Sequence, residues 1–205
     1  MDLVKKGDHV EISLLNIGVG LGWKGGKGVT GHPYDLDLQA FILKQDEKFV
    51  IHPDDNSGEW HDKRRHFIYF NNLNSPDGAV THTGDVDGEE DEEEDDSQDK
   101  ETIYVDLSKL THEATQIVFT ATIEDAESRK QDFGQVQNSF IRIYNRDNDE
   151  EICRYDLEDD FSVENAVEFG RLIRNGPSWE FEALGLGHDG GLLALVNKFK
   201  VEDWG

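Results

Sequence analysis

Apolar and polar residues alternate with a period of two along most of this chain, and that pattern confines the fold to sheets. Val10, Ile12 and Leu14 alternate with polar neighbours, as do Ile103 and Val105. Ile117, Phe119, Ala121 and Ile123 share one face, Ile141 and Ile143 another, and Trp179, Phe181 and Ala183 a third. Successive side chains of an extended chain point to opposite faces, so each run makes an apolar face that must be covered. Shorter runs at 19–23, 36–43, 67–70 and 152–155 bring the expectation to about nine strands, separated by Gly/Asn/Asp turns. The fold class read from this is all-β: a sandwich of two mainly antiparallel sheets in a single domain spanning 1–205, with a few short helices. One helix is expected where Val163, Ala166, Val167, Gly170 and Ile173 follow helical spacing. Ser162 is its N-cap, Arg171 and Arg174 lie in its last turn, and Asn175-Gly176-Pro177 stops it. A second is expected on Leu192, Leu195, Val196 and Phe199, and a short third over 126–130.

Charge narrows the function. Forty-five acids face 20 bases, a net charge of −25. Twelve acids and one base, Lys100, fall between Asp85 and Glu101, and Glu89 to Asp96 is an unbroken run of eight acids. Mutual repulsion extends such a run when no metal is present, so an acidic low-complexity loop is expected at about 86–100. Nucleic-acid phosphates and anionic lipid are poor partners for this surface, since both need clustered Lys and Arg. Cations and basic proteins suit it. No window approaches the ~18 apolar residues of a membrane span, and Met1 to Asp8 contains no apolar signal segment. Cys153 is the only cysteine, which allows no internal disulfide and fits a reducing cytoplasm.

Four segments between strands are rich in oxygen ligands. Asp35 and Asp37 stand at i and i+2 in Tyr34-Asp35-Leu36-Asp37-Leu38. Asn71-Asn72-Leu73-Asn74-Ser75-Pro76-Asp77-Gly78 is a turn dense in side-chain oxygens. His82-Thr83-Gly84-Asp85-Val86-Asp87-Gly88 adds two carboxylates, and Asp99-Lys100-Glu101 adds another pair. Calcium takes six to eight oxygens, roughly, from carboxylates, amides, carbonyls and water. Converging carboxylates repel one another unless a cation lies between them. Taken singly, each segment also reads as an ordinary capped turn. An EF-hand register starting at Thr83 fails because its first position is Thr and its flanks are not helical. The scattered histidines lack a His-Glu-x-x-His pattern. Gly18-Val19-Gly20-Leu21-Gly22 is not followed by a helix opening, and no Gly-x-Ser-x-Gly occurs, so no enzyme signature stands out.

The ordered motifs resemble the TerD family of tellurium-resistance and general stress-response proteins. They are Gly20-Leu21-Gly22-Trp23, Tyr34-Asp35-Leu36-Asp37-Leu38-Gln39-Ala40-Phe41, Phe70-Asn71-Asn72, Ser75-Pro76-Asp77-Gly78 and His82-Thr83-Gly84-Asp85. Ile123-Glu124-Asp125-Ala126, Phe133-Gly134-Gln135-Val136, Tyr155-Asp156-Leu157, Asp159-Asp160, Trp179-Glu180-Phe181 and Gly185-Leu186-Gly187-His188-Asp189-Gly190-Gly191-Leu192 follow in order. The resemblance implies a β-sandwich that binds Ca2+, more than one ion, through acidic loops, and no enzymatic reaction. Carried over by position, the implied ligands are Asp35, Asp37, Asn71, Asn72, Asp77, Asp85, Asp99 and Glu101, with Asp87 standing in at a substituted position. Lys24, Val86 and Lys100 replace residues usual in the family, and the segment Pro53 to Arg65 is extra. The implied function is a cytoplasmic calcium-binding stress-response protein that presents a charged surface to other stress-response proteins. Two rivals remain open at this level: a metal-dependent enzyme on a small substrate, and an acidic scaffold that docks basic proteins without metal.

Overall fold

A computed structural model describes residues 5–50, 66–85, 98–157, 161 and 163–200. The acidic run Glu89 to Asp96, Asp87, Val86, Ser162, Asp159-Asp160 and the segment Pro53 to Arg65 lie outside the described residues.

The strands in chain order are β1 (His9–Ile12), β2 (Asn16–Gly22), β3 (Leu36–Leu43), β4 (Phe67–Ile68), β5 (Val80–His82), β6 (Glu101–Asp106), β7 (Gln116–Ile123), β8 (Phe140–Asn145), β9 (Glu151–Asp156), β10 (Ala166–Asn175) and β11 (Ser178–His188). Two α-helices accompany them, α1 (Ala126–Arg129) and α2 (Gly191–Phe199). The strands form a six-stranded sheet in the order β1-β11-β10-β7-β3-β4 and a five-stranded sheet in the order β5-β6-β2-β8-β9. Every pairing between them is antiparallel. The expected β-sandwich is the fold observed.

Alternation decides what lies between the sheets. Leu36, Leu38, Ala40 and Ile42 of β3 and Ile117, Phe119, Ala121 and Ile123 of β7 face Val19, Leu21, Ile103, Val105, Ile141 and Ile143 of the opposite sheet. The outer face of the six-stranded sheet is also covered. Phe41, Leu43, Phe67 and Val118 point outward and pack beneath Leu195, Val196 and Phe199 of α2. The Phe41 ring stacks on Phe67 at 4.6 Å and meets Phe199 at 4.8 Å. That second apolar layer is why β3 and β7 are buried along their whole length.

α2 lies where helical spacing expects it and α1 within the expected 126–130, but the helix expected over 163–173 is a strand. β10 runs from Ala166 to Asn175 between β7 and β11. Its register shifts between Glu168 and Gly170 against both neighbours. A β-bulge inserts one residue and reverses the side-chain parity beyond it. Val167 therefore faces the core before the bulge, Phe169 within it, and Leu172 afterwards. Ala166 packs on the opposite, α2-covered face. Apolar residues on both faces with a parity break between them imitate a helical period. β5, only three residues long, was not foreseen as a strand.

Gly170 lets β11 pack closely beside the bulge. A Cβ there would stand 2.2 Å from the Phe181 ring and 2.8 Å from the Glu182 carbonyl oxygen. Overpacking of this kind costs about 1–3 kcal/mol. Gly170→Ala is therefore expected to lower the denaturant midpoint by that amount of stability with an unchanged m-value, measured by urea unfolding.

Candidate metal centre

The site is built at one corner of the sandwich, where β3 outruns its edge partner. β4 pairs only with Ala40 and Phe41, so the Leu38 peptide opens onto an unpaired edge. Two side chains from the opposite sheet occupy that edge. Glu101, the first residue of β6, accepts the Leu38 N–H at 2.6 Å through Oε2. His82, the last residue of β5, donates Nε2–H to the Leu38 carbonyl at 3.0 Å. A sheet edge left bare inside a protein would strand both groups, so side chains take the place of a strand here.

This arrangement buries a carboxylate. Glu101 is fully inaccessible to solvent, and its Oε1 has no hydrogen-bond partner among the described residues. Asp37 is 8% exposed, and Asp85 follows Gly84, whose φ of +108° favours glycine. Carboxylate oxygens of Asp37, Asp85 and Glu101 all lie within 4.8 Å of one another. Burial, then the charges of Glu101, Asp35 and Asp85, push the Asp37 carboxyl up from an ordinary 3.8 to about 8. Asp35 is raised to about 7 by burial and by a hydrogen bond shared with Glu124; Arg129 opposes this. The Arg129 guanidinium stands 3.8 Å from Asp35 and 3.1 Å from Glu124. It thus serves the outer pair of acids. The His82 ring adjoins the inner three, with Nε2 also 3.5 Å from Glu101 Oε2, and its Nδ1 accepts the Gly84 N–H at 2.9 Å while Nε2–H faces the Leu38 carbonyl.

The structure joins Asp37, Asp85 and Glu101, sets Asp35 beside them, and gives other expected ligands different partners. Asp77 organises its own turn. Its Oδ1 accepts Ser75 Oγ–H at 2.6 Å and the Ala79 N–H at 3.0 Å, and its Oδ2 accepts the Thr111 N–H at 2.8 Å. Asp99 lies over Gly20 and is gripped by Arg142, with Nε–H to Oδ1 and Nη2–H to Oδ2, both at 2.8 Å. Asn72 donates Nδ2–H to the Phe67 carbonyl at 2.6 Å, and Asn71 is exposed on the same turn. Lys100 places its ammonium 5.2 Å from the Trp23 ring centroid. Spacing alone missed Glu124 and His82. The only trace of His82 in the sequence is its place directly before Thr-Gly-Asp.

An open cleft of about 1020 Å³ begins at Asp37 and passes Phe70, Glu124, Asp189 and Leu192. Asn165 closes one side, its Oδ1 accepting the Gly191 N–H at the start of α2.

Comparison with known proteins identifies the family. The TerD domain profile matches residues 2–199. The chain belongs to the TerD family. It is 39% identical over 204 residues to the tellurium resistance protein TerD of an Alcaligenes species, covering 97% of this chain and 96% of that one. It is 38% identical over 202 residues to general stress protein 16U of Bacillus subtilis, with 96% of each covered. The crystal structure of SCO6318, a TerD homologue from Streptomyces coelicolor, shares the fold with a TM-score of 0.68 at 18% identity. That match covers 89% of this chain and 95% of that one. No helix among the described residues of this TerD-family chain is long and apolar enough to cross a membrane.

The raised Asp35 and Asp37 values set a pH dependence. In the folded, ion-free protein these carboxyls keep protons that the unfolded chain releases near pH 3.8. Stability therefore falls as pH rises from about 4 to about 8, wherever the native state binds more protons. Asp37→Asn mimics the protonated form. In chelator, its melting temperature is expected to match the parent near the acid end of that window and exceed it near the alkaline end, measured by calorimetric scans across the range.

Proposed function

We propose that this TerD-family protein is a calcium-binding stress-response module. Its bound ions order the acidic loops and present a charged surface to other stress-response proteins in the cytoplasm. The observation that carries this reading is the fully buried Glu101 carboxylate, with one oxygen unpartnered among the described residues and two further carboxylates within 4.8 Å. Buried charge without a counter-charge is strongly unfavourable. A hard divalent cation bound by oxygen is the economical remedy.

The donor set fits calcium better than a transition metal. It consists of carboxylates alone, and the nearby imidazole has both nitrogens engaged by backbone groups. Asp37, Asp85 and Glu101 would hold the ion, with backbone carbonyls and water completing the shell. Glu101 would offer Oε1, since Oε2 is committed to Leu38. In this reading the ion is structural or regulatory and the protein is not an enzyme. The ion neutralises the corner where the two sheets meet and fixes the loop that carries Asp85. The tellurium-resistance and stress-protein names of its relatives support a role in stress responses.

A ligand that binds only the folded state stabilises it by about 2.7 kcal/mol at 100 times its dissociation constant. Calcium is thus expected to raise the melting temperature of the full chain and to give a saturable calorimetric isotherm. Asp37→Asn and Asp85→Asn abolish both effects at the same calcium concentration. Asp99→Asn, which loosens only the Arg142 contact, keeps the isotherm. An unchanged melting temperature between chelator and millimolar-range calcium would rule out the reading.

A further inference from the structure

We propose that His82 is a positioning residue for the cation site. Its imidazole, bonded to backbone at both nitrogens, holds the Asp85 loop against the β3 edge so that the three carboxylates converge. This inference rests on the calcium reading of that corner.

His82 is 3% exposed as a residue, and its side chain has no solvent contact. It belongs to the five-stranded sheet through its pairing with Ile103 of β6, yet its ring reaches the six-stranded sheet. Nε2–H donates to the Leu38 carbonyl at 3.0 Å, and Nδ1 accepts the Gly84 N–H at 2.9 Å. One ring therefore ties three points of the site: β3, next to Asp37; β5; and the peptide immediately before Asp85. The same residue, Leu38, donates its N–H to Glu101, so His82 and Glu101 register against one residue of β3.

The hydrogen-bond polarity is not interchangeable. Leu38 offers an acceptor on the His82 side, and Gly84 offers a donor. Only a group with a donor and an acceptor in fixed opposition satisfies both, and the Nε2–H tautomer is that group. Thr83 adds an independent clamp, its hydroxyl paired with the Thr102 peptide at 3.1 Å. The loop is therefore anchored at 83 from β6 and aimed at 84 by the imidazole. With the ring nitrogens committed to backbone, His82 acts on the ion through Asp85 and does not bind it. Groups that orient metal ligands in this way typically change metal affinity ~10–100-fold when removed.

The test compares the full chain with His82→Phe, which keeps an aromatic ring but removes both hydrogen bonds, and His82→Gln, whose amide can donate and accept. Calcium affinity is measured by calorimetry, and the melting temperature is measured in chelator. His82→Phe is expected to weaken calcium binding by ~10–100-fold and His82→Gln to recover part of that loss. A ring that merely filled the core would lower the chelator melting temperature and leave the affinity of folded protein unchanged, and that result would overturn the proposal. Nitrogen-15 NMR of the imidazole in the unmutated chain supplies a readout that needs no variant. A neutral ring protonated on Nε2 is expected, and protonation on Nδ1 would overturn the proposal even if His82→Phe fails to fold. An unmutated chain that takes up no calcium would overturn the cation reading and this inference together. Wild-type affinity in His82→Phe would overturn this inference alone.

Discussion

A carboxylate sealed inside the corner of a sandwich is the constraint on which the rest of this structure depends. Glu101 must be there because β3 extends past β4 and leaves the Leu38 amide without a strand to receive it. Once there, it is fully buried with a second oxygen that the described residues do not satisfy. Asp37 and Asp85 compound the charge. The protein either retains protons at this corner, as the raised Asp37 carboxyl indicates, or recruits a cation. Closing the β3 edge and gathering negative charge at this corner fall to the same residues.

Around that corner the acids divide by role. Arg129 compensates Asp35 and Glu124, Arg142 clasps Asp99, and backbone N–H groups satisfy Asp77. Each pairing gives a carboxylate a partner within the protein. In a chain carrying −25, such partners separate the acids that are satisfied within the protein from those that crowd together. Asp99 is the clearest case of the first kind. Its carboxylate occupies the space above Gly20 that any side chain would need, so a glycine, an arginine and an aspartate from three segments fit one another.

Much of the architecture was legible because burial on a sheet is periodic. Alternation gives β1, β6, β7, β8 and β11, short apolar runs give β2, β3, β4 and β9, and helical spacing gives α2. β10 was misread because its bulge at Glu168–Gly170 breaks parity and because α2 covers its outer face, so apolar residues occur on both sides. A residue-by-residue period cannot distinguish that from a helix. Asp35, Asp37, Asp85 and Glu101 were legible as candidates from their turn-like surroundings, yet so were Asp77 and Asp99, which look the same in sequence. Their partners, Thr111 and Arg142, lie 34 and 43 residues away, and no local pattern connects them.

By itself, the sequence determined the sandwich, the family and the acidic loops that could meet, because side-chain alternation and ordered motifs are properties of neighbouring residues. Tertiary structure alone decided which acids do meet, which are satisfied by arginine or backbone, and that His82 bridges the two sheets. Those outcomes depend on where β4 ends and on what the opposite sheet brings to the exposed Leu38 peptide. Distances between remote segments are set by packing, and packing leaves no trace in the spacing of any single segment.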